Sequence, residues 1–302
     1  MGWLKLGSLY VNNTINSKYL FSHAANPLPV HLNDNIFRVY FSARDSKNRS
    51  SVGSFDWDIK ASKIIQQPAK FVHKFGDKGT FYNHGISIGS FYESKGRKFV
   101  LFMGWQLTKG QHWSGAIGRF EIFNSGKWKI TSAVPFFSLD GRIDKFSLSY
   151  PAILIENGVY KMWYGSTVDW TSNNGEMIHV INYATSYDGE NWHRHGIAIP
   201  FKIGKAQAFS RPSVIHDDQG YHMWFSYRSG DGTPYRIGYA NSSDGIKWDL
   251  ALNESKISVS ESGWDSEMIC YPCVFDFNRD RFMLYNGNGF GKTGIGLAKW
   301  IA

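Results

Sequence analysis

Cysteine is nearly absent: among 302 residues there are two, Cys270 and Cys273. A disulfide framework needs several pairs and a structural zinc needs four soft ligands, so a single C-x-x-C excludes both as organising devices. The flanking Met268, Ile269, Val274 and Phe275 read as strand, where residues three apart face opposite sides. Two buried free thiols are expected, suited to a reducing compartment. Long apolar runs are missing too. None approaches membrane-spanning length, and the opening MGWLKLGSLYVNN has no apolar stretch long enough for a signal peptide, so a cytoplasmic location without membrane spans is expected. Basic clusters are also lacking. The net charge is +8, from 33 Lys and Arg against 25 Asp and Glu, but the basic residues are scattered without a run. That argues against nucleic acid and leaves a carbohydrate with an acidic group, or a sugar phosphate, as the fitting anionic partner. No segment shows a long helical period.

Aromatic residues are abundant: 12 Trp, 16 Tyr and 22 Phe. They favour strands, and Trp and Tyr also make flat platforms for sugar rings. Many of them fall in a repeat. One apolar segment recurs and ends in a small or polar residue: Phe37 to Ser42, Phe99 to Gly104, Tyr160 to Gly165, Tyr221 to Ser226 and Phe282 to Asn286. The terminal residues are 62, 61, 61 and 60 positions apart, an even period that signals a repeat architecture. A second segment follows each copy, beginning at Val52, Ile117, Ile181, Ile237 and Ile295. In two units it runs on through Asp188-Gly189 and Asp244-Gly245 toward Trp192 and Trp248; Asp-Gly is a strong hairpin turn. A third segment precedes each copy and in three units carries proline, at Tyr150-Pro151, Arg211-Pro212 and Tyr271-Pro272, read as the first position of a strand.

Four short strands per unit, five times over, predict an all-β fold: a five-bladed β-propeller with four-stranded antiparallel blades, forming a single domain over residues 1–302. The fifth unit ends at Ala302 after its third strand, and Gly2-Trp3-Leu4-Lys5 matches the strand start at Gly126-Lys127-Trp128-Lys129. The N-terminal strand is therefore expected to close the last blade and remove an exposed edge.

In such a blade the innermost strand lies next to the axis, so the functional face is lined by residues just before the first strand and just after the second. The first group comprises His23, Asn26, His84, Ser149, Tyr150, Arg211, Glu267 and Tyr271. The second comprises Arg44, Asp45, Trp105, Trp170, Glu176, Arg228, Asn286 and Asn288. These residues are rich in charge and aromatics, unlike the strands beside them. The repeat count, blade layout and X-Pro motifs resemble the five-bladed furanosidase-type glycosidases: arabinanases, xylosidases, invertases, levansucrases and mannoside phosphorylases. The resemblance covers nearly the whole chain and implies a carbohydrate-active enzyme without cofactor or metal.

Those enzymes place an Asp at the first innermost strand, a second acid in an Arg-Asp-Pro type motif and a Glu as acid. This chain has Asn26 at the first position and Ser149-Tyr150-Pro151 at the second, and keeps carboxylates only in Trp264-Asp265-Ser266-Glu267. Glu267 is the expected general acid or base, with Asp265 or Asp45 as partner; the competing reading pairs these carboxylates with arginines to hold loops. A thinner likeness to sialidases lies in the two Ser-x-Asp-Gly-x-x-Trp turns and in Arg44, Arg211 and Arg228, a set able to clamp a carboxylate or phosphate. An arginine such as Arg211, ahead of an axial strand, needs an anion or another acceptor to offset its burial. His23 and His84 serve either as proton shuttles or as scaffold, and Trp105, Trp113 and Trp170 either stack on sugars or plug between blades. Asn286 and Asn288 form either a turn or an amide site for sugar hydroxyls. The expected activity is cleavage or transfer of a glycosyl unit on an anionic glycan or activated sugar in cell-surface polysaccharide metabolism. The alternative is a binding propeller that has lost its acids.

Overall fold

The computed structural model describes residues 1–13, 17–108 and 112–301. The chain is all-β with antiparallel sheets, an arrangement consistent with a propeller. The antiparallel pairings form successive groups. The first runs Ser22–Asn33, Ile36–Arg44 and Ser50–Asp58, with two short outer pieces, Lys63–Ile64 and Lys70–His73. The second runs Gly85–Ser94, Arg97–Leu107, Trp113–Ile122 and Trp128–Ile130. Leu148–Glu156, Val159–Asp169, Ile178–Ser186 and His193–Ile197 make the third, and Ala208–Asp217, Gly220–Arg228, Arg236–Ser242 and Asp249–Leu250 the fourth. The last runs Cys270–Phe277, Asp280–Asn286 and Ile295–Ile301, and is completed by Gly2–Tyr10 from the other end of the chain, with Trp3 opposite Trp300.

Alternation of side chains along each strand buries one aromatic-rich row on either side, and the cores form between neighbouring groups. Leu28, Tyr40 and Val52 pack against Phe102, Phe120 and Trp128. Tyr92, Phe99 and Leu101 meet Tyr160, Met162 and Tyr164. Trp163 and Tyr183 meet Phe209 and Phe225, and Trp224 and Ile237 meet Met283 and Tyr285. Leu284 and Leu297 then return to Phe41, Phe55 and Trp57 of the first group. Burying each such ring contributes about 2–3 kcal/mol. The innermost strands also touch their neighbours in the same cyclic order.

In three of the five groups the small or polar residue near the end of the second strand has a structural purpose. Ser42 Oγ accepts the backbone N–H of Ile88 in the next group, Ser226 Oγ that of Tyr271, and Asn286 Oδ1 that of Asn26. These side chains fasten one group to the innermost strand of the next, with Asn286 joining last to first. Asn286 Nδ2 also donates to the carbonyls of Ala24 and Gly294.

Two local expectations change. The prolines do not open the innermost strands; each sits a few residues in, at a register shift that frees its missing N–H from the ladder (Ser149 to Ala152, Ser210 to Ser213, Cys270 to Cys273). The Asn286 to Gly291 stretch is a fixed turn rather than a flexible one, with Gly289 and Phe290 both in the left-handed region (φ 63° and 60°) and Asn286 and Asn288 held by hydrogen bonds. Both cysteines are free, Cys270 buried and Cys273 half-buried. Among the described residues no helix is long and apolar enough to cross a membrane, and no group of three His, Cys, Asp or Glu is placed to hold a metal ion.

Candidate functional site

A cavity of about 480 Å³ opens where the innermost strands begin, lined by residues of every strand group. Its floor is set by backbone geometry. The residue ahead of proline in four innermost strands has positive φ: Asn26 (54°), Tyr150 (27°), Arg211 (48°) and Tyr271 (53°). This conformation is unfavourable for a side-chain-bearing residue and more so before proline, costing on the order of 1–3 kcal/mol each. Asn26, Tyr150 and Tyr271 line the cavity, with the Tyr150 hydroxyl donating to that of Tyr271 at 3.4 Å. Asn26 is buried and its Oδ1 has no hydrogen-bond partner. Arg211 does not reach for a ligand. It crosses the axis to donate to the carbonyls of Pro27, at 2.6 Å, and Ile88. The acceptor that its burial demanded is backbone, and burial lowers its pKa.

One wall is aromatic. Trp105, Trp113 and Trp170 all line the cavity. Trp113 meets Trp170 edge-on at 5.0 Å, and His112 stacks on the other part of Trp170 at 4.8 Å. Trp105 is oriented by its Nε1–H donating to Ser50 Oγ at 3.0 Å; this fits only because residue 85 is glycine, where a methyl would overlap both atoms. The charged residues Arg44, Glu176 and Arg228 also line the cavity. Arg228 pairs with Glu176, lies 5.2 Å from the Tyr235 ring and leaves its buried Nε without a partner. Glu176 also accepts the Met177 N–H at 3.1 Å. Among the described residues, the Arg44 side chain has no hydrogen bond or ion pair. Glu176 is the only carboxylate among the described lining residues.

Ten of the eighteen sequence-predicted residues thus come together here: Asn26, Arg44, Trp105, Trp113, Ser149, Tyr150, Trp170, Glu176, Arg228 and Tyr271. The other eight do not line the cavity, for physical reasons. Asp45 turns back to accept the N–H groups of Lys47 and Arg49 and pairs with the Arg49 guanidinium at 2.8 Å, closing its own turn. Asp265 is buried against Lys5 at 2.7 Å and accepts from Tyr285 at 3.0 Å. Burial alone would raise its carboxyl, but Lys5, Ser260 and Tyr285 outweigh that and hold it below the usual range. Glu267 is exposed, and it is its backbone carbonyl that accepts from Arg236 at 2.8 Å. Asn286 is the buried fastener described above, and Asn288 Oδ1 accepts the N–H groups of Glu267 and Met268. His84 sits behind Trp105, beside Asn83 Oδ1 at 2.6 Å. His23 is bonded to Ser22 Oγ at 3.0 Å; burial and then the charges of Arg44 and Lys292 push its pKa down to about 4.

His179 and Phe290 were missed, and both line the cavity. His179 is a polar residue inside the apolar run Ile178-His-Val-Ile181, a signal that was there to be read. Phe290 carries none, because its place depends on its left-handed turn conformation (φ 60°).

No protein-family model matches the chain. Two relatives from two strains of Mycobacterium tuberculosis, the uncharacterized proteins Rv1502 and MT1551, are each 40% identical over 300 residues, covering 99% of both chains. Among solved structures, a glycoside hydrolase superposes with a TM-score of 0.75 at 11% identity over 99% of this chain and 92% of that one. A glycosyl hydrolase from Bacteroides ovatus gives 0.67 at 14% identity, over 99% and 90%. A structure from the family of mannoside phosphorylases that contains glycoside hydrolases gives 0.68 at 14%, again over 99% and 90%. At such identities the likeness is one of fold, and it bears out the architectural resemblance read from the repeats. This chain belongs to the family of the mycobacterial protein Rv1502, built on the fold of propeller-type glycoside hydrolases.

Proposed function

We propose that the five strand groups are the blades of one closed five-bladed propeller, a single domain whose axial cavity is the site of a carbohydrate-active enzyme. Its substrate is a sugar bearing an anionic group. The observation that carries this reading is an aromatic wall and an Arg44 side chain without hydrogen bond or ion pair among the described residues, together in a cavity whose described lining holds one carboxylate. Aromatic faces suit sugar rings, and an unpaired guanidinium suits phosphate or carboxylate.

The chemistry narrows with the carboxylate count. Hydrolysis by the usual route needs two carboxyls facing across the bond. Transfer from a glycosyl phosphate needs one base and one anion clamp. The bond from the anomeric carbon to the phosphate oxygen breaks, with its electron pair leaving on the phosphate beside Arg44. A new bond forms to the acceptor hydroxyl, whose proton passes to Glu176, while Arg228 holds Glu176 in place. A cytoplasmic setting and a part in building cell-surface polysaccharide belong to the same proposal, supported by the two free thiols.

The test is a thermal-shift and tryptophan-fluorescence screen against hexosyl phosphates, nucleotide sugars and the matching neutral sugars. Anionic sugars should raise the melting temperature, and Arg44→Met should abolish the difference between charged and neutral ligands. Glu176→Gln should keep binding and lose transfer. A second reading, a binding propeller without catalysis, is favoured by the single carboxylate; it would show as binding with no phosphate or nucleotide released by the wild type. No response to any anionic sugar contradicts both.

A further inference from the structure

Beneath the aromatic wall, three side chains from three neighbouring strands form a line. Ser149 Oγ, in the innermost strand of the third group, lies 2.7 Å from His179 Nε2, and Thr167 Oγ1 lies 2.8 Å from His179 Nδ1. Thr167 and His179 are direct cross-strand partners, and Ser149 stands opposite Gly165. The imidazole therefore passes over the middle strand at Gly165 to reach the innermost one. A methyl group on residue 165 would overlap both Ser149 Oγ and His179 Nε2, so only glycine leaves the path open. His179 is held from behind as well, its N–H donating to the Gln207 carbonyl at 3.0 Å and its ring edge-on to Trp113 at 6.0 Å. Ser149, Thr167 and His179 are all at least 98% buried, yet Ser149 and His179 line the cavity.

We propose that Ser149 is a specificity-determining contact that reads one hydroxyl of the bound sugar, with His179, Thr167 and Gly165 as the positioning residues that hold it. The inference rests on the reading of the cavity as a sugar site. Burial pushes the His179 pKa down to about 3, so the ring is neutral near pH 7 and too weak a base to activate Ser149 as a nucleophile. A neutral imidazole has one N–H: it donates to one hydroxyl and accepts from the other. Ser149 is thereby fixed by one hydrogen bond, with either its O–H or its lone pairs left for the cavity. A buried polar group so prepared rejects a ligand that lacks its partner, because it is then left unpaired.

The experiment measures fluorescence-detected affinities of the wild type and variants for hexosyl phosphates and their monodeoxy analogues. The wild type is expected to lose about tenfold in affinity at one ring position, roughly 1.4 kcal/mol. Ser149→Ala should bind parent and analogue alike, an effect a merely structural serine would not have. Thr167→Val, which removes the rear support without touching the cavity, should reduce the discrimination and keeps the test open if Ser149→Ala folds poorly. Undiminished discrimination in Ser149→Ala, or in a well-folded Thr167→Val, or none at any position in the wild type, overturns the proposal. If no hexosyl phosphate binds the wild type, the sugar-site reading fails, and this inference with it.

Discussion

At the scale of single residues, the cavity is assembled from conformations and pairings that stability alone does not favour. Asn26, Tyr150 and Tyr271 keep positive φ ahead of proline, and each presents a polar side chain to the axis. His179 is buried as a neutral base, which couples the cavity wall to pH. Unfolded histidine titrates near 6.5 and folded His179 near 3, so between these values the unfolded chain binds the extra proton. The stability that His179 contributes is full above pH 6.5 and is lost as the pH falls, at up to roughly 1.4 kcal/mol per pH unit. His23, with its pKa of about 4, works in the same direction. Melting temperature should therefore drop from pH 6.5 to 5, before carboxylates titrate, and His179→Gln should flatten that drop; equal slopes in the two proteins would contradict the assignment. Away from the cavity, Lys5→Met leaves Asp265 buried and unpaired, and should cost about 3 kcal/mol in denaturant melts without changing ligand affinity.

At the scale of elements, the repeat explains more than the strands it marks. The small or polar residue near the end of each second strand was legible as a spacing signal, but in Ser42, Ser226 and Asn286 its work is contact with the next group. Asn286→Ala removes three hydrogen bonds in a fully buried place, including the one to the Asn26 N–H. It should lower stability by more than 2 kcal/mol, read by chemical denaturation, because the freed backbone groups stay buried. The strand order and the N-terminal completion of the last group were readable because aromatic alternation and an even period are local properties of sequence. The loss of Asp45, Asp265 and Glu267 from the site was not readable. Asp45 is taken by the N–H groups of its own turn, and Asp265 by Lys5 from the far end of the chain. Position within a repeat says which end of a blade a side chain occupies, not which partner captures it. Deleting Gly2–Tyr10 should leave Ile295–Ile301 as an open edge and give an aggregating protein by light scattering; a monodisperse product would argue that this strand is dispensable.

At the scale of the whole molecule, a net charge of +8 without basic runs resolves into a few arginines with different fates. Arg211 is spent on backbone carbonyls across the axis and Arg228 on Glu176, while Arg44 keeps its guanidinium for the cavity. A fold shared with glycoside hydrolases thus carries a cavity whose described lining has one carboxylate, an aromatic wall and the Arg44 guanidinium. The most direct test of this account is a calorimetric titration of the wild type and Arg44→Met with one hexosyl phosphate from the screen and its neutral hexose. The account predicts that the wild type binds the phosphate at least about tenfold tighter than the hexose, a preference of roughly 1.4 kcal/mol that Arg44→Met erases. Equal affinity of the wild type for the two ligands, or a preference that survives loss of Arg44, would contradict it.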